Sequence, residues 1–209
     1  MKKVLLIALA LISCLAAEAQ LRTIKPKWTY KVPNISGATY LSRGCSDPYN
    51  ILFEDFYADI PLEGEVDNII VSSTLRPQGS KNYRATNLHD RNHETAWVEG
   101  VKGYGIGQWI EYQGTDGCFG EGFPVEDIRI LNGYVKSDKA WRENSRVKRL
   151  KVYCNGKPKC ILELQNSRSL QAFNVKGLFS AGATIRFEIL DVYPGTKYQD
   201  TVISEIYFP

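Results

Sequence analysis

The chain is poor in the residues on which catalysis and transition-metal chemistry usually rest. It holds two histidines, both within His89-Asp90-Arg91-Asn92-His93. A histidine pair at i and i+4 binds zinc when a helix sets both rings on one face and a glutamate follows the first. Here Asp90 follows instead, and no apolar helical stripe surrounds the pair, so catalytic zinc is not supported. The five cysteines contain no Cys-x-x-Cys pair, which argues against a zinc–thiolate centre. There is no Gly-x-Ser-x-Gly elbow and no Cys–His pair in a nucleophilic context. The acidic residues are too scattered to nominate a glycosidase pair. Gly103, Gly105 and Gly107 are followed by the strand-like Gln108-Trp109-Ile110-Glu111 rather than by a helix, so they do not form a phosphate loop. They read as positions where the backbone passes close to a ligand or to another loop.

Charge of one sign is also lacking. Lysine and arginine number 26 against 23 acidic residues, a formal charge of +3, which gives no electrostatic reason to expect nucleic acid or an anionic membrane as partner. The most basic stretch holds Lys139, Arg142, Arg146, Lys148, Arg149 and Lys151 around Trp141. It reads as a solvated loop entering a strand whose Leu150 and Val152 face inward.

No apolar run is long enough to span a membrane; the longest, Val4 to Ile12, follows Lys2-Lys3 and precedes Ala17-Glu18-Ala19. Residues 1–19 are therefore expected to be an export signal cut at Ala19-Gln20. The alternative is lipidation at Cys14 within Leu11-Ile12-Ser13-Cys14. Either way the protein is expected to leave the cytoplasm, as a secreted, periplasmic or lipid-anchored chain. Loss of residues 1–19 lowers the formal charge from +3 to about +2.

Cys45, Cys118, Cys154 and Cys160 then remain, an even count that in an exported chain suggests two disulfides. Cys154 and Cys160 bracket Asn155-Gly156, a tight-turn dipeptide, and are expected to face each other across a hairpin. Cys45 and Cys118 would then tie the N-terminal segment to the loops.

Helical periodicity is missing over any three turns, and so are internal repeats and low-complexity tracts. Residues 20–65 are the least regular: Trp28, Tyr30 and Val32 alternate with polar residues as in a strand, and Ile51 to Tyr57 fits a strand or a short helix. From Val66 the strand signals become regular. They cover Asp67–Ser72, Gln108–Tyr112, Val125–Ile130, Val147–Tyr153, Ile161–Leu164, Thr184–Leu190 and Ile203–Phe208. Many short strands punctuated by Gly, Pro and Asn predict an all-β sandwich or jelly roll.

The stretch from Ile69 to Tyr112 carries Ser72-Ser73, Ala85-Thr86-Asn87-Leu88-x-Asp90, Glu94-Thr95-Ala96-Trp97 and Gly107-Gln108-Trp109-Ile110 in that order. With Gly103 to Gly107 and Asn132-Gly133-Tyr134, it resembles the discoidin-type (coagulation-factor C-type) domains, in particular the NADase-type glycan-binding branch. The resemblance covers roughly Val66 to Pro209. It implies a galactose-binding-like β-sandwich jelly roll over 66–209, an N-terminal extension over 20–65, and a non-catalytic, exported module that binds a glycan or glycoconjugate. A structural or protein-interaction module of the cell envelope is the alternative. Nothing in the chain supplies an NAD-cleaving site.

The resemblance further implies a structural calcium ion held by the carbonyls of Asn87 and Asn92 with the side chains of Asp90, Thr95 and Glu205, an all-oxygen set suited to a hard cation. In such modules a sugar site falls on loops at one end of the sandwich, and combines an aromatic platform with planar polar groups. Candidates are Arg84 beside Tyr83, then Tyr104, then Tyr134, Trp141, Asn144 and Arg146. Trp141 or Tyr104 would be the platform and Arg84 and Arg146 the hydroxyl clamps, whereas Trp97 and Trp109 are expected in the core.

Overall fold

The structure is a computed structural model and describes residues 21–31, 69–90, 92–113, 125–180 and 182–208. The export signal, Cys14, Cys45 and Cys118 lie outside these residues. Eleven strands appear among them: β1 (Arg22–Ile24), β2 (Trp28–Tyr30), β3 (Ile69–Val71), β4 (Trp97–Val98), β5 (Trp109–Tyr112), β6 (Asp127–Asn132), β7 (Ser145–Cys154), β8 (Lys157–Glu163), β9 (Leu170–Asn174), β10 (Ile185–Tyr193) and β11 (Thr201–Tyr207). A 3-10 turn, Ala85–Leu88, and one short helix, α1 (Asp138–Glu143), join them.

Hydrogen bonding runs continuously through β2-β9-β6-β11-β7-β10-β5-β3. The path folds over where β11 meets β7 in parallel through only two residue pairs, Thr201 with Ser145 and Val202 with Arg146. Two layers result, β9-β6-β11 and β8-β7-β10-β5-β3, and their inner faces share one apolar core. Ile128, Ile130, Phe173, Ile203 and Ile206 come from the first layer; Ile110, Val147, Leu150, Val152, Ile185 and Phe187 from the second. Trp97 is fully buried there, and its indole donates to the Ser73 carbonyl at 3.0 Å. Alternation produces this: in β10, Ile185, Phe187 and Ile189 point inward while Arg186 and Glu188 do not. The chain is the β-sandwich jelly roll that the strand pattern predicts.

Residues 22–30 close one side. β1 pairs in parallel with β8, the edge of the second layer, and β2 pairs antiparallel with β9, the edge of the first. Pro26 lies between them, where the segment changes layers and a proline costs no ladder bond. Both edges gain cover, and Ile24 enters the core.

The expected Cys154–Cys160 disulfide is absent, and both cysteines are free and buried. The register explains it. Asn155 and Gly156 take positive φ (48° and 74°), making a two-residue turn that sets Cys154 opposite Lys157 and Cys160 opposite Val152. Two residues offset diagonally across a ladder lie about 7–8 Å apart, beyond disulfide reach. Burial pushes the Cys160 thiol up to about 12.

β7 leads from the pole bearing α1 to the pole bearing this hairpin. The loop after β6, helix α1 and the start of β11 therefore share the first pole, and the site lies there.

Candidate functional site

Asn92 and Thr95 gather around Asp90. One carboxylate oxygen accepts from the Asn92 amide at 2.9 Å, the other from the Thr95 hydroxyl at 2.7 Å. Thr95 also bonds the Asn92 carbonyl through its amide (3.0 Å) and hydroxyl (2.8 Å). Asn87 acts as a staple through its side chain, which donates to the carbonyls of Asn82 and Ala96 at 3.2 and 2.9 Å. Glu205, on β11, is fully buried, and neither carboxyl oxygen has a hydrogen-bond partner. Burial first, then the neighbouring Asp90 charge, hold the Glu205 carboxyl well above the usual carboxylate range. Burial raises Asp90 too, opposed by its bonds from Thr95 and Asn92. Two carboxyls side by side, one with orphaned oxygens, beside a hydroxyl and a carbonyl, fit a hard cation. Among the described residues no three His, Cys, Asp or Glu side chains converge, so neutral oxygens would have to complete the set. The histidines stay apart from this chemistry. His89 packs on the Tyr207 ring at 5.9 Å, and burial, with Arg168 nearby, pushes His93 down to about 4.

Trp141, Asn144 and Arg146, expected as ligand contacts, are brought together as a closed cluster. Arg146 is 6% exposed. Its guanidinium donates to the carbonyls of Trp141 (3.0 Å), Asn144 (2.8 Å) and Pro194 (3.4 Å) and to the Asn166 side chain (3.1 Å). It stacks on the Trp141 ring, 4.4 Å from the centroid, while the indole N–H donates to the Asn132 carbonyl at 3.0 Å. Asn144 caps α1 by donating to Ala140 O at 2.9 Å. The cluster presses on Gly133 (φ 82°), where a Cβ would come within 2.7 Å of Arg146 and 2.8 Å of Trp141. Four of the five N–H donors of Arg146 are therefore spent on the protein's own oxygens, and Trp141 has one ring face covered.

Open space lies beside this cluster. A hollow of about 390 Å³ has Leu75, Gln78, Tyr83, Glu143, Asn144, Tyr198 and Asp200 among its walls. A second, of about 450 Å³, has Ser80, Asn82, Asn92, Glu94 and Thr95. Lys81, Tyr134, Lys136 and Ser137 line both, so the hollows adjoin along that ridge. Tyr134 is 8% exposed and packs with Tyr83, Ala96, Val98 and Val202, a small core beneath the groove. Of the sequence-derived ligand candidates, Tyr134 and Asn144 reach these walls; Arg84, Tyr104, Trp141 and Arg146 do not. Arg84 is exposed ahead of the 3-10 turn, and the Tyr104 carbonyl accepts from the Thr201 hydroxyl at 2.8 Å.

Three contributors went unnoticed in the sequence. Lys81 and Lys136 carry no motif. Tyr198, 40% exposed, is an aromatic surface on the groove wall with Lys197 4.9 Å from its ring centroid; an exposed tyrosine after Pro194-Gly195 was the available signal. Nearby, buried Glu99 accepts from the amides of Val101 (2.8 Å) and Thr201 (3.2 Å) and packs on Gly105, whose φ of 65° and missing Cβ admit it. The glycine loop thus approaches a side chain of its own chain.

A two-layer β-sandwich with an oxygen-lined loop and a groove at one pole is a discoidin-like, galactose-binding-like module. The family described as "NAD glycohydrolase translocation F5/8 type C domain" matches residues 62–209, and the chain belongs to it. No curated protein is significantly similar to the chain. Among solved structures, the CBM32-1 and CBM32-2 domains of Clostridium perfringens ZmpB in complex with GalNAc are 11% identical with a TM-score of 0.50, over 82% of this chain and 42% of that one. CpGH89CBM32-5 of the same organism, in complex with GalNAc-β-1,3-galactose, is 14% identical with a TM-score of 0.46, over 66% and 93%. The mycobacterial arabinofuranosyltransferase AftD is 18% identical with a TM-score of 0.43 over 66% of this chain, which spans only 10% of that enzyme. At such identities the likeness concerns the fold.

Proposed function

We propose that this protein is an exported, non-catalytic glycan-binding module whose site is the double hollow around Tyr134. The observation that carries the reading is the groove itself: an open, loop-built depression at one pole, walled by Tyr134 and Tyr198 and by the polar side chains Gln78, Asn82, Ser137 and Asn144. Aromatic surface suits the weakly apolar face of a sugar ring, and planar amides suit paired hydroxyls. Of the carboxylates in the groove, Glu143 and Asp200 share one hollow, with Glu143 paired to Lys139 at 4.0 Å, and Glu94 lines the other.

A structural calcium ion is part of the same reading. Asp90, Thr95, Glu205 and the carbonyls of Asn87 and Asn92 would hold it, supported by the orphaned Glu205 oxygens. Its contribution would be charge: it would offset the two adjacent carboxylates and fix the segment whose Asn92 and Thr95 form one wall of the groove.

A glycan array with the mature chain tests the binding reading. Tyr198→Ala is expected to weaken the best glycan at least about tenfold, or 1.4 kcal/mol, with melting unchanged because Tyr198 is exposed. Absence of any glycan binding overturns it.

A further inference from the structure

The four residues shared by both hollows, Lys81, Tyr134, Lys136 and Ser137, have a common chemistry. Lysine can only donate hydrogen bonds, and phenol and serine hydroxyls each carry a proton to donate. The carboxylates of the groove stand elsewhere: Glu94 lines one hollow, Glu143 and Asp200 the other, and none lines the ridge between them. Lys139, on the same wall, is held by Glu143 at 4.0 Å. Lys81 and Lys136 take part in none of the ion pairs among the described residues. The Lys136 ammonium lies 4.2 Å from the Tyr134 ring centroid, so that ring face is covered. The Lys81 charge acts on the same phenol, opposing the upward push of burial. Two ammonium groups thus stand about one phenol, where the charge of the Glu94 carboxylate also reaches, and an anion placed between them would offset the remaining positive charge.

We propose that this ridge is a subsite for the acidic group of a glycan, the carboxylate of a sialic or uronic acid or a sulfate ester. The subsite rests on the glycan-binding reading and adds a ligand class to it. The neutral remainder of the sugar would lie in either hollow, with Tyr198 in one and the amides of Asn82 and Asn92 in the other. Because the ridge is open, its attraction falls with added salt; a Debye length shrinks from about 10 Å at 0.1 M to about 3 Å at 1 M.

An array presenting each core glycan in neutral, carboxylated and sulfated form, read with the full mature chain at low and high salt, decides the matter. At low salt the acidic forms are expected to bind at least about tenfold more tightly than their neutral partners. High salt should shrink that ratio, and the two acidic arms show whether carboxylate or sulfate is preferred. Lys81→Gln and Lys136→Gln should each erase most of the ratio, read within each variant as the acidic form against its own neutral partner, with melting in place. Neutral forms binding as well as acidic ones, or an acidic preference that survives in the double variant, overturns the subsite and leaves the glycan-binding reading standing. Failure of every glycan overturns both.

Discussion

Two cation–aromatic pairs sit side by side at one pole, and they are built on opposite principles. Arg146 stacks on Trp141 at 4.4 Å, and Lys136 lies over Tyr134 at 4.2 Å. Arg146 is buried, and three carbonyls and one amide oxygen accept from it. Lys136 is half-buried, lines open space, and has no carboxylate partner among the described residues. A polar group with four of five donors spent on the protein's own oxygens holds loops together; one whose donors remain free is available to a ligand. The difference lies in the neighbours, since arginine's planar fork can meet several fixed carbonyls where an ammonium offers a compact charge.

The largest expected effect is on the closed pair. Arg146→Ala leaves four acceptors without their donor and opens space beneath Trp141, and should cost about 3 kcal/mol in a denaturant titration. If Arg146→Ala melts like the parent chain and loses glycan binding instead, the contrast collapses and Arg146 returns to the ligand site.

A charge effect comes next. Burial and the Asp90 charge favour the protonated form of the Glu205 carboxyl, a cost that the unfolded chain does not carry, so Glu205→Gln should stabilise the metal-free protein. It should also abolish stabilisation by calcium, which in the parent reaches about 2.7 kcal/mol at a hundredfold excess over Kd. Melting curves with and without chelator read both signs. A parent chain indifferent to calcium would reduce the loop to a hydrogen-bonded turn.

The contrast between closed and open extends to the sheet edges. Ile24 lies outside the family match yet is 7% exposed in the shared core. Ile24→Ala is expected to cost about 2 kcal/mol. An unchanged midpoint would mean that residues 22–30 add cover without adding stability.

What could be read in the sequence follows from how locally each feature is specified. β10 is legible because inward and outward residues alternate over its first turns of pleat. β9 is not, because Leu170 to Phe173 are all buried and no alternation survives. β1 is three residues long and takes its identity from β8. The Asp90 segment is legible because Asn92 and Thr95 bond Asp90 within five positions. Arg146 is not, because its acceptors include Asn166 and Pro194, placed by the fold from 20 and 48 residues away. The cysteine pairing failed on register: a symmetric bracket about Asn155-Gly156 in sequence becomes a diagonal offset once the turn uses two residues. Lys81 and Tyr134 meet across two loops, and no spacing announces that meeting.

The smallest expected effect is the one that most sharpens the comparison. Lys136→Ala removes a cation–π contact at a partly exposed site, worth about 0.5–1 kcal/mol at most. It also removes one of two ammonium groups about Tyr134, which relieves repulsion from Lys81 and offsets part of that loss. The net change in folding stability should therefore stay within about 0.5 kcal/mol, the range of surface substitutions. Added salt should widen it slightly, because screening weakens the repulsion whose relief offsets the lost contact. Midpoints of Lys136→Ala and the parent, measured at low and high salt, check this. A loss as large as that of Arg146→Ala would show Lys136 to be a second structural pin, and the ridge between the hollows would then be left with Lys81 alone to offer a ligand.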